Sequence, residues 1–292
     1  MGLKIFLDGK IVDEKDAKIS VFDHGLLYGD GVFEGIRSYD CLIFKLEEHI
    51  ERLFRSAESI SLQISMSKEE IQQAIIDTLK ANGIRDGYIR LVVTRGMGDL
   101  GLDPQKCEKP SMFIIADRIA LYPEEYYIKG LKIIIAKTKR NSVKSLPPKV
   151  KSLNYLNNIL ARMEATQAGV VEALMLNEEG YLAECTGDNV FIVKDNELIT
   201  PAVEAGALEG ITREIVMGIA RDKGIRTEEK FIRTEELFKA DEVFLTGTAA
   251  EIIPVTEVDG KVVGSGGAGK LTVDFINEFR NLIKTEGVKY AL

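Results

Sequence analysis

The sequence predicts a two-domain protein of mixed strands and helices, α+β or α/β in class. Three observations carry this. The chain has 292 residues, about twice the usual length of one domain. Period-two apolar runs and amphipathic helical stripes occur in both halves. A stretch with Pro123 and several tyrosines lies between them, so the domains are expected at 1–118 and 131–292, joined by 119–130.

Taken in order, residues 3–12 read as a hairpin turned by Asp8-Gly9. Asp23-His24-Gly25 and Gly29-Asp30-Gly31 are loop signals, and Val32 to Tyr39 reads as a strand. Glu47 to Ile60 places Ile50, Leu53, Phe54 and Ala57 on one side of a helix. Ser67-Lys-Glu-Glu70 is a capping box opening the next helix, which stops at Asn82-Gly83. Tyr88 to Thr94 and Ser111 to Ala116 read as strands around a glycine-rich loop.

In the second half Leu131 to Lys137 reads as a strand, and Val143 to Pro148 as a loop delivering Lys151. A helix is expected from Ser152, with Leu153, Leu156, Leu160 and Met163 at helical spacing and Gly169 closing it. Strands are expected at 172–177, 189–194, 197–200 and 242–246. Thr212 is expected to cap a helix ending at Gly224, and Lys270 to Lys284 forms the last helix.

Composition narrows the function classes. A net charge of -8 argues against nucleic-acid or acidic-membrane binding, so an anionic ligand needs local arginines or helix N-termini. The three cysteines lack metal or disulfide spacing, and with only His24 and His49 no metal site is expected. No signal peptide or membrane span is read, so the expected location is the cytoplasm.

Two glycine-rich runs are set aside. Gly96-Met-Gly-Asp-Leu-Gly101 matches a dinucleotide fingerprint, but Leu102-Asp103-Pro104 follows it, and no helix opens at its last glycine. Gly264 to Lys270 resembles a phosphate loop, but Leu271 replaces the hydroxyl residue that would reach magnesium.

A different constellation emerges from Lys151 and Glu184. A pyridoxal phosphate enzyme needs a lysine for a Schiff base and a carboxylate for the ring nitrogen. It also needs N–H groups and a cation for the phosphate, and a grip on the substrate carboxylate. Glu184 lies between two strand patterns, read as a loop with little charge nearby. Gly210-Ile211-Thr212 opens a helix, Thr246 to Glu251 is a second N–H-rich loop, and Arg52 offers a cation. Each has a plainer reading: Arg52 as a surface ion pair with Glu48, Thr212 as a cap, Glu184 as a solvated acid.

Five motifs in order give a resemblance. They are Tyr28-Gly-Asp-Gly-Val-Phe33-Glu-Gly35-Ile-Arg37, Lys151-x-x-Asn-Tyr155-Leu, Glu184-x-x-Gly-Asp-Asn-Val-Phe, Gly210-Ile-Thr-Arg213 and Gly247-Thr-Ala-Ala-Glu251. Together they resemble the class IV pyridoxal phosphate aminotransferases, and most the branched-chain amino acid aminotransferases. The resemblance implies pyridoxal phosphate fold type IV, pyridoxal 5'-phosphate as cofactor, and amino acids and 2-oxo acids as substrates. It implies a homodimer or larger assembly of dimers. By the same resemblance Lys151 would carry the Schiff base, Glu184 would pair with the ring nitrogen, and Tyr155 would bond the 3'-oxygen. Arg52, Ile211, Thr212 and Thr248 would hold the phosphate. Tyr28, Phe33, Gly35, Tyr88, Arg90, Thr248, Ala249 and Ala250 would line the substrate pocket, with Arg90 meeting the distal carboxylate of glutamate.

The sequence departs from the family at Leu91, where members often have proline, and at Cys185-Thr186, where a pair of small residues is usual. Both are expected to affect pocket width. The D-amino acid aminotransferases and aminodeoxychorismate lyases share the fold, and the former carry an Arg-x-His pair in the loop that here, over Gly96 to Pro104, holds no basic residue. A non-catalytic cofactor carrier is the further alternative.

Overall fold

The computed structural model describes residues 2–118 and 122–292. Of the connection expected at 119–130, residues 119–121 lie outside the described residues. The chain divides into two compact units. One comprises Met1–Ile119, Val150–Asn154 and Ile283–Leu292; the other comprises Ala120–Lys149 and Tyr155–Leu282. This departs from the expected division in three places: Lys151 and the chain's last ten residues belong with the first unit, and α4 (Glu124–Lys129) of the expected connection belongs to the second.

The first unit is built on a seven-stranded sheet. Its strands are β1 (Lys4–Leu7), β2 (Lys10–Asp13), β3 (Gly31–Tyr39), β4 (Leu42–Phe44), β5 (Gly87–Thr94), β6 (Ser111–Asp117) and β16 (Gly287–Lys289), in the order β16-β4-β3-β5-β6-β1-β2. Alternation along β3 and β5 sends Val32, Ile36, Ile89, Leu91 and Val93 to one face. There they pack with Ile50 and Leu53 of α2 (Leu46–Ser59) and Ile71, Ile75 and Leu79 of α3 (Lys68–Ala81). Each such side chain contributes roughly 1.5–3 kcal/mol on burial. Leu91 therefore serves the core. Both bonds of the Ser67–Glu70 capping box are present. The loop expected at Asp23 to Gly25 instead opens a short helix, α1 (His24–Tyr28), because the Asp23 carboxylate accepts from Gly25 N–H at 2.8 Å and Thr94 Oγ1 at 2.8 Å.

The helix expected from Ser152 is absent at that point. Residues 150–154 run alongside β3, with Phe33 N–H donating to Lys151 O at 3.0 Å and Leu153 N–H to Gly31 O at 2.9 Å. Tertiary backbone bonding overrides the local helical spacing, and the helix α5 begins only at Leu156 (Leu156–Gln167).

The second unit holds a nine-stranded sheet of β7 (Leu131–Ile135), β8 (Glu172–Leu176), β9 (Leu182–Cys185), β10 (Asn189–Lys194), β11 (Glu197–Pro201), β12 (Thr227–Lys230), β13 (Glu242–Gly247), β14 (Glu251–Val258) and β15 (Lys261–Val262). The order is β12-β11-β10-β13-β14-β7-β8-β9, with β15 on β14. Leu182 N–H reaches Ile232 O at 2.9 Å, just beyond β12, so the sheet curls until its two ends meet. Helices α6 (Ile211–Asp222), α7 (Thr234–Leu237) and α8 (Lys270–Leu282) complete the unit. The glycine-rich run before Lys270 is a loop, and Glu242 fills the mouth of α8 by accepting from Leu271 N–H (3.0 Å), Thr272 N–H (2.8 Å) and Thr272 Oγ1 (2.7 Å). A carboxylate of the chain already satisfies the donors a phosphate loop would offer. Among the described residues no helix is long and apolar enough to cross a membrane.

Candidate active site

In the first unit the antiparallel register of β3 and β5 pairs Gly35 with Arg90 and Arg37 with Tyr88. Phe33, Gly35, Tyr88 and Arg90 therefore share the sheet face opposite the core. The Arg90 guanidinium lies 4.6 Å from the Phe33 ring centroid and 5.4 Å from that of Tyr88. Gly35 is required: a Cβ there would meet the Tyr88 hydroxyl at 2.0 Å. The result is an aromatic wall with one cation stacked on it. Lys151 belongs to the same face, its Nζ 4.8 Å from the Phe33 ring centroid and its backbone N–H donating to Ser56 Oγ at 3.2 Å.

Tyr28 is held differently. It ends α1, where its ring stands edge-on to His24 at 5.0 Å and its hydroxyl donates to Leu100 O at 2.7 Å.

Arg52 is neither exposed nor paired with Glu48. Its Nε donates to Glu34 Oε1 at 2.7 Å and its Nη2 to Glu34 Oε2 at 2.8 Å, while His49 Nδ1 lies 2.7 Å from Glu34 Oε2. All three residues are buried. Sequence spacing favoured the surface pair because Glu48 is one turn away on the same helix; the strand-borne Glu34 won through a bidentate geometry that spacing does not reveal. Burial alone would raise the Glu34 carboxyl, but the Arg52 charge, its hydrogen bonds and His49 together hold it well below the usual range. Burial pushes His49 down from its ordinary value, against the pull of Glu34.

In the second unit Glu184 stands on β9, a strand rather than the expected loop, with Met175 as its cross-strand partner. The surroundings are charged, contrary to the sequence reading. Arg140 Nη2 lies 2.8 Å from Glu184 Oε1, and Leu208 N–H donates to Oε2 at 2.7 Å. Asn189 Nδ2 donates to Leu208 O at 2.9 Å, and its Oδ1 fills the space where a Gly210 Cβ would stand, at 2.0 Å. Gly210 is the residue before α6 and offers no side-chain cap. Thr212 is thus inside the first helical turn, not at its cap, and the N–H groups of Ile211 and Thr212 have no intrahelical acceptor.

Asn189 pairs with Thr246 on β13, whose Oγ1 is buried without a partner among the described residues. Next to it Gly247 leaves room for Asp188 Oδ1, 2.0 Å from where its Cβ would be. Thr248, Ala249 and Ala250 form the turn from β13 to β14. Tyr155 immediately precedes α5. Glu184, Gly210, Thr246 and Gly247 are thus linked through Leu208 and Asn189 within this unit.

The profile of the family described as amino-transferase class IV matches residues 31–258. The chain belongs to this family. It is 50% identical to a putative branched-chain-amino-acid aminotransferase of Methanocaldococcus jannaschii, over 98% of this chain and 99% of that one. It is also similar to the branched-chain amino acid aminotransferase of Thermobaculum terrenum in the crystal structure of its PLP-form, the holo-form. The TM-score there is 0.87 at 33% identity, over 97% of this chain and 94% of that one. A D-alanine aminotransferase of Bacillus licheniformis is 34% identical, over 98% of this chain and 99% of that one. The fold expected of a class IV aminotransferase is therefore the fold observed.

Two features of this aminotransferase escaped the sequence. Arg140 lies in Lys137-Thr-Lys-Arg140, where nothing separates it from solvated basic residues. Cys185-Thr186 is fully engaged in the interior: the Thr186 N–H and hydroxyl donate to Glu172 Oε1 at 3.0 and 2.6 Å, and Cys185 packs in the core. That departure from the family pattern completes a buried carboxylate's hydrogen bonds. Burial still raises the Glu172 carboxyl above its ordinary value, despite the donors that oppose it.

Proposed function

We propose that this aminotransferase moves an amino group reversibly between leucine, isoleucine or valine and 2-oxoglutarate, with pyridoxal 5'-phosphate as its cofactor. The observation carrying the substrate class is the Phe33–Gly35–Tyr88 wall with Arg90 stacked on its rings. An apolar branched side chain packs on the rings, and the guanidinium answers a distal carboxylate. The two substrates use one pocket in turn, which is a ping-pong scheme.

The donor set suits such a cofactor. The uncapped N–H groups of Ile211 and Thr212, the turn at Thr248 and the cation of Arg52 supply phosphate donors. The missing Cβ atoms of Gly210 and Gly247 keep the adjoining backbone in place against Asn189 and Asp188. Glu184 offers a buried, oriented carboxylate for a protonated ring nitrogen, and Tyr155 a hydroxyl for the 3'-oxygen. When bound, the cofactor supplies an electron sink that acidifies the substrate Cα–H. Lys151 would hold it covalently and, once displaced by the substrate amine, its Nζ would take up and return the Cα proton. Thr248, Ala249, Ala250 and Tyr28 line the substrate pocket.

The similarity to a D-alanine aminotransferase motivates a second reading, D-specific transfer. Against it stands the loop after β5: Arg95 is tied to Asp30 at 2.9 and 3.0 Å and to Ile60 O and Ser61 O, and no basic residue follows through Pro104. One experiment separates the readings. The yellow protein is mixed with excess L-leucine, or with D-leucine, and no acceptor. Bleaching with release of the oxo acid from the L-isomer alone is expected. Bleaching by the D-isomer alone would establish the second reading, and no response to either would leave a lyase or a carrier.

We place the protein in the cytoplasm, in keeping with three free cysteines and no disulfide among the described residues. We also assign it a homodimer as its basic assembly. On α5 Leu156, Ile159, Leu160 and Met163 form an apolar stripe, 67%, 52%, 45% and 51% exposed. A second copy of the chain is the occupant that the family resemblance favours. Sedimentation velocity at micromolar concentration is expected to show twice the 32.4 kDa chain mass or a multiple of it; a monomer would overturn the assignment.

A further inference from the structure

We propose that Arg140 is a positioning residue for Glu184, and that it sets how tightly this aminotransferase holds its cofactor. The inference rests on the reading of Glu184 as the partner of the cofactor ring nitrogen. Arg140 is 7% exposed and Glu184 6%. The two side chains meet at 2.8 Å through Nη2 and Oε1, while Leu208 N–H takes Oε2. With both oxygens engaged, the carboxylate plane is fixed. The lone pairs that remain on each oxygen point in defined directions.

Arg140 is itself anchored at several points. Its Nη1 donates to Asn158 Oδ1 at 3.1 Å and Asn157 Oδ1 at 3.2 Å. Asn158 Nδ2 donates in turn to Thr186 O at 2.9 Å, and Asn157 Nδ2 to Lys139 O at 2.7 Å. The backbone N–H of Arg140 bonds Leu176 O at 2.9 Å. Gly206, at φ +111°, lies against the arginine stem, 3.3 Å from its Cγ to where a Cβ would stand. The guanidinium Nε is buried with no partner among the described residues, a donor left unsatisfied while the other nitrogens hold this geometry. A network that keeps a buried donor unpaired is organised around its other bonds, and the shortest of Arg140's contacts is the one to Glu184.

A buried charge pair of this kind has a specific consequence. Without the guanidinium, Glu184 keeps the Leu208 N–H on one oxygen, and its carboxylate is free to rotate about that bond. Rotation weakens its bond to a protonated ring nitrogen. Removing the outer partner of a buried ligating group costs about ten- to a hundredfold in affinity where that has been measured for metal ligands, and the same scale is expected here.

The test is a double-variant cycle read as cofactor affinity, measured by equilibrium dialysis of the full-length holoenzyme against pyridoxal 5'-phosphate. Arg140→Gln is expected to weaken binding by about ten- to a hundredfold, and Arg140→Lys to recover part of the loss. In a Glu184→Gln background Arg140→Gln is expected to add less than about twofold, because its effect runs through the carboxylate. Equal losses in both backgrounds, or no loss with Glu184 intact, would overturn the proposal. If Glu184→Gln alone binds the cofactor as the parent does, the ring-nitrogen reading fails first and takes the proposal with it. Should Arg140→Gln not fold, Asn158→Ala removes a guanidinium anchor and replaces it in the cycle, with a smaller loss expected only when Glu184 is present.

Discussion

Lys151→Ala is expected to lower transamination of L-leucine by about 10⁴-fold or more, the upper range for losing a positioned acid–base group that also attaches the cofactor. The yellow colour of the purified protein should go with it. Folding should not: the segment is fixed by backbone bonds, Lys151 O to Phe33 N–H and Lys151 N–H to Ser56 Oγ. The unfolding free energy of the variant, from urea titration, should stay within about 0.5 kcal/mol of the parent. Release of the oxo acid from L-leucine with 2-oxoglutarate as acceptor, measured beside the urea titration, gives the answer. Turnover within about tenfold of the parent would remove Lys151 from the chemistry.

Glu34→Gln carries the largest expected effect on stability. It removes one partner from a buried cluster and leaves Arg52 facing a neutral amide, 4% exposed. Breaking a buried pair in this way costs about 3–5 kcal/mol, a large part of an ordinary domain's 5–15 kcal/mol. The same cluster sets an acid response. The Glu34 carboxyl is depressed in the folded state, so its contribution is complete above the unfolded carboxyl value, near 4.3, and drains away as pH falls below it. His49 is also depressed, so the unfolded chain binds its proton first and stability falls as pH drops below about 6.5. Both act in one direction. Urea titrations at pH 7, 5.5 and 4 should show stability declining at each step, more steeply for the parent than for Glu34→Gln at the last. A parent curve flat down to pH 4 would refute this account.

Legibility in the sequence followed the range of the interactions concerned. The Ser67 capping box and the Asp8-Gly9 hairpin are decided within a few residues, and both are present where spacing indicated. Phe33, Gly35, Tyr88 and Arg90 were grouped only through the family resemblance, since strand alternation alone does not say which strands pair; the register of β3 and β5 brings them to one face. The failures arose where partners are distant in sequence. The Lys151 segment reads as helix locally but is claimed by β3, more than a hundred residues earlier. Glu184 reads as a loop residue because β9 is short and edge-paired. Arg140 and Arg52 show no local sign of which carboxylate each meets, because a guanidinium's choice depends on burial and a bidentate approach. β14 was missed as well. Pro254 interrupts its strand pattern, and the strand starts from a left-handed Glu251, φ 60°.

Helix α5 faces two ways. One side supplies Asn157 and Asn158 to the Arg140 guanidinium; the other presents Leu156, Ile159, Leu160 and Met163 to its surroundings. A single rigid rod thus joins the surface assigned to a second subunit with the support of Glu184. Under thermodynamic reciprocity, any tightening of the cofactor on assembly is matched by an equal tightening of assembly by the cofactor. In the proposed dimer, a coupling carried by α5 would make dilution weaken cofactor binding and loss of the cofactor loosen assembly, and would set a floor on the concentration at which the enzyme works.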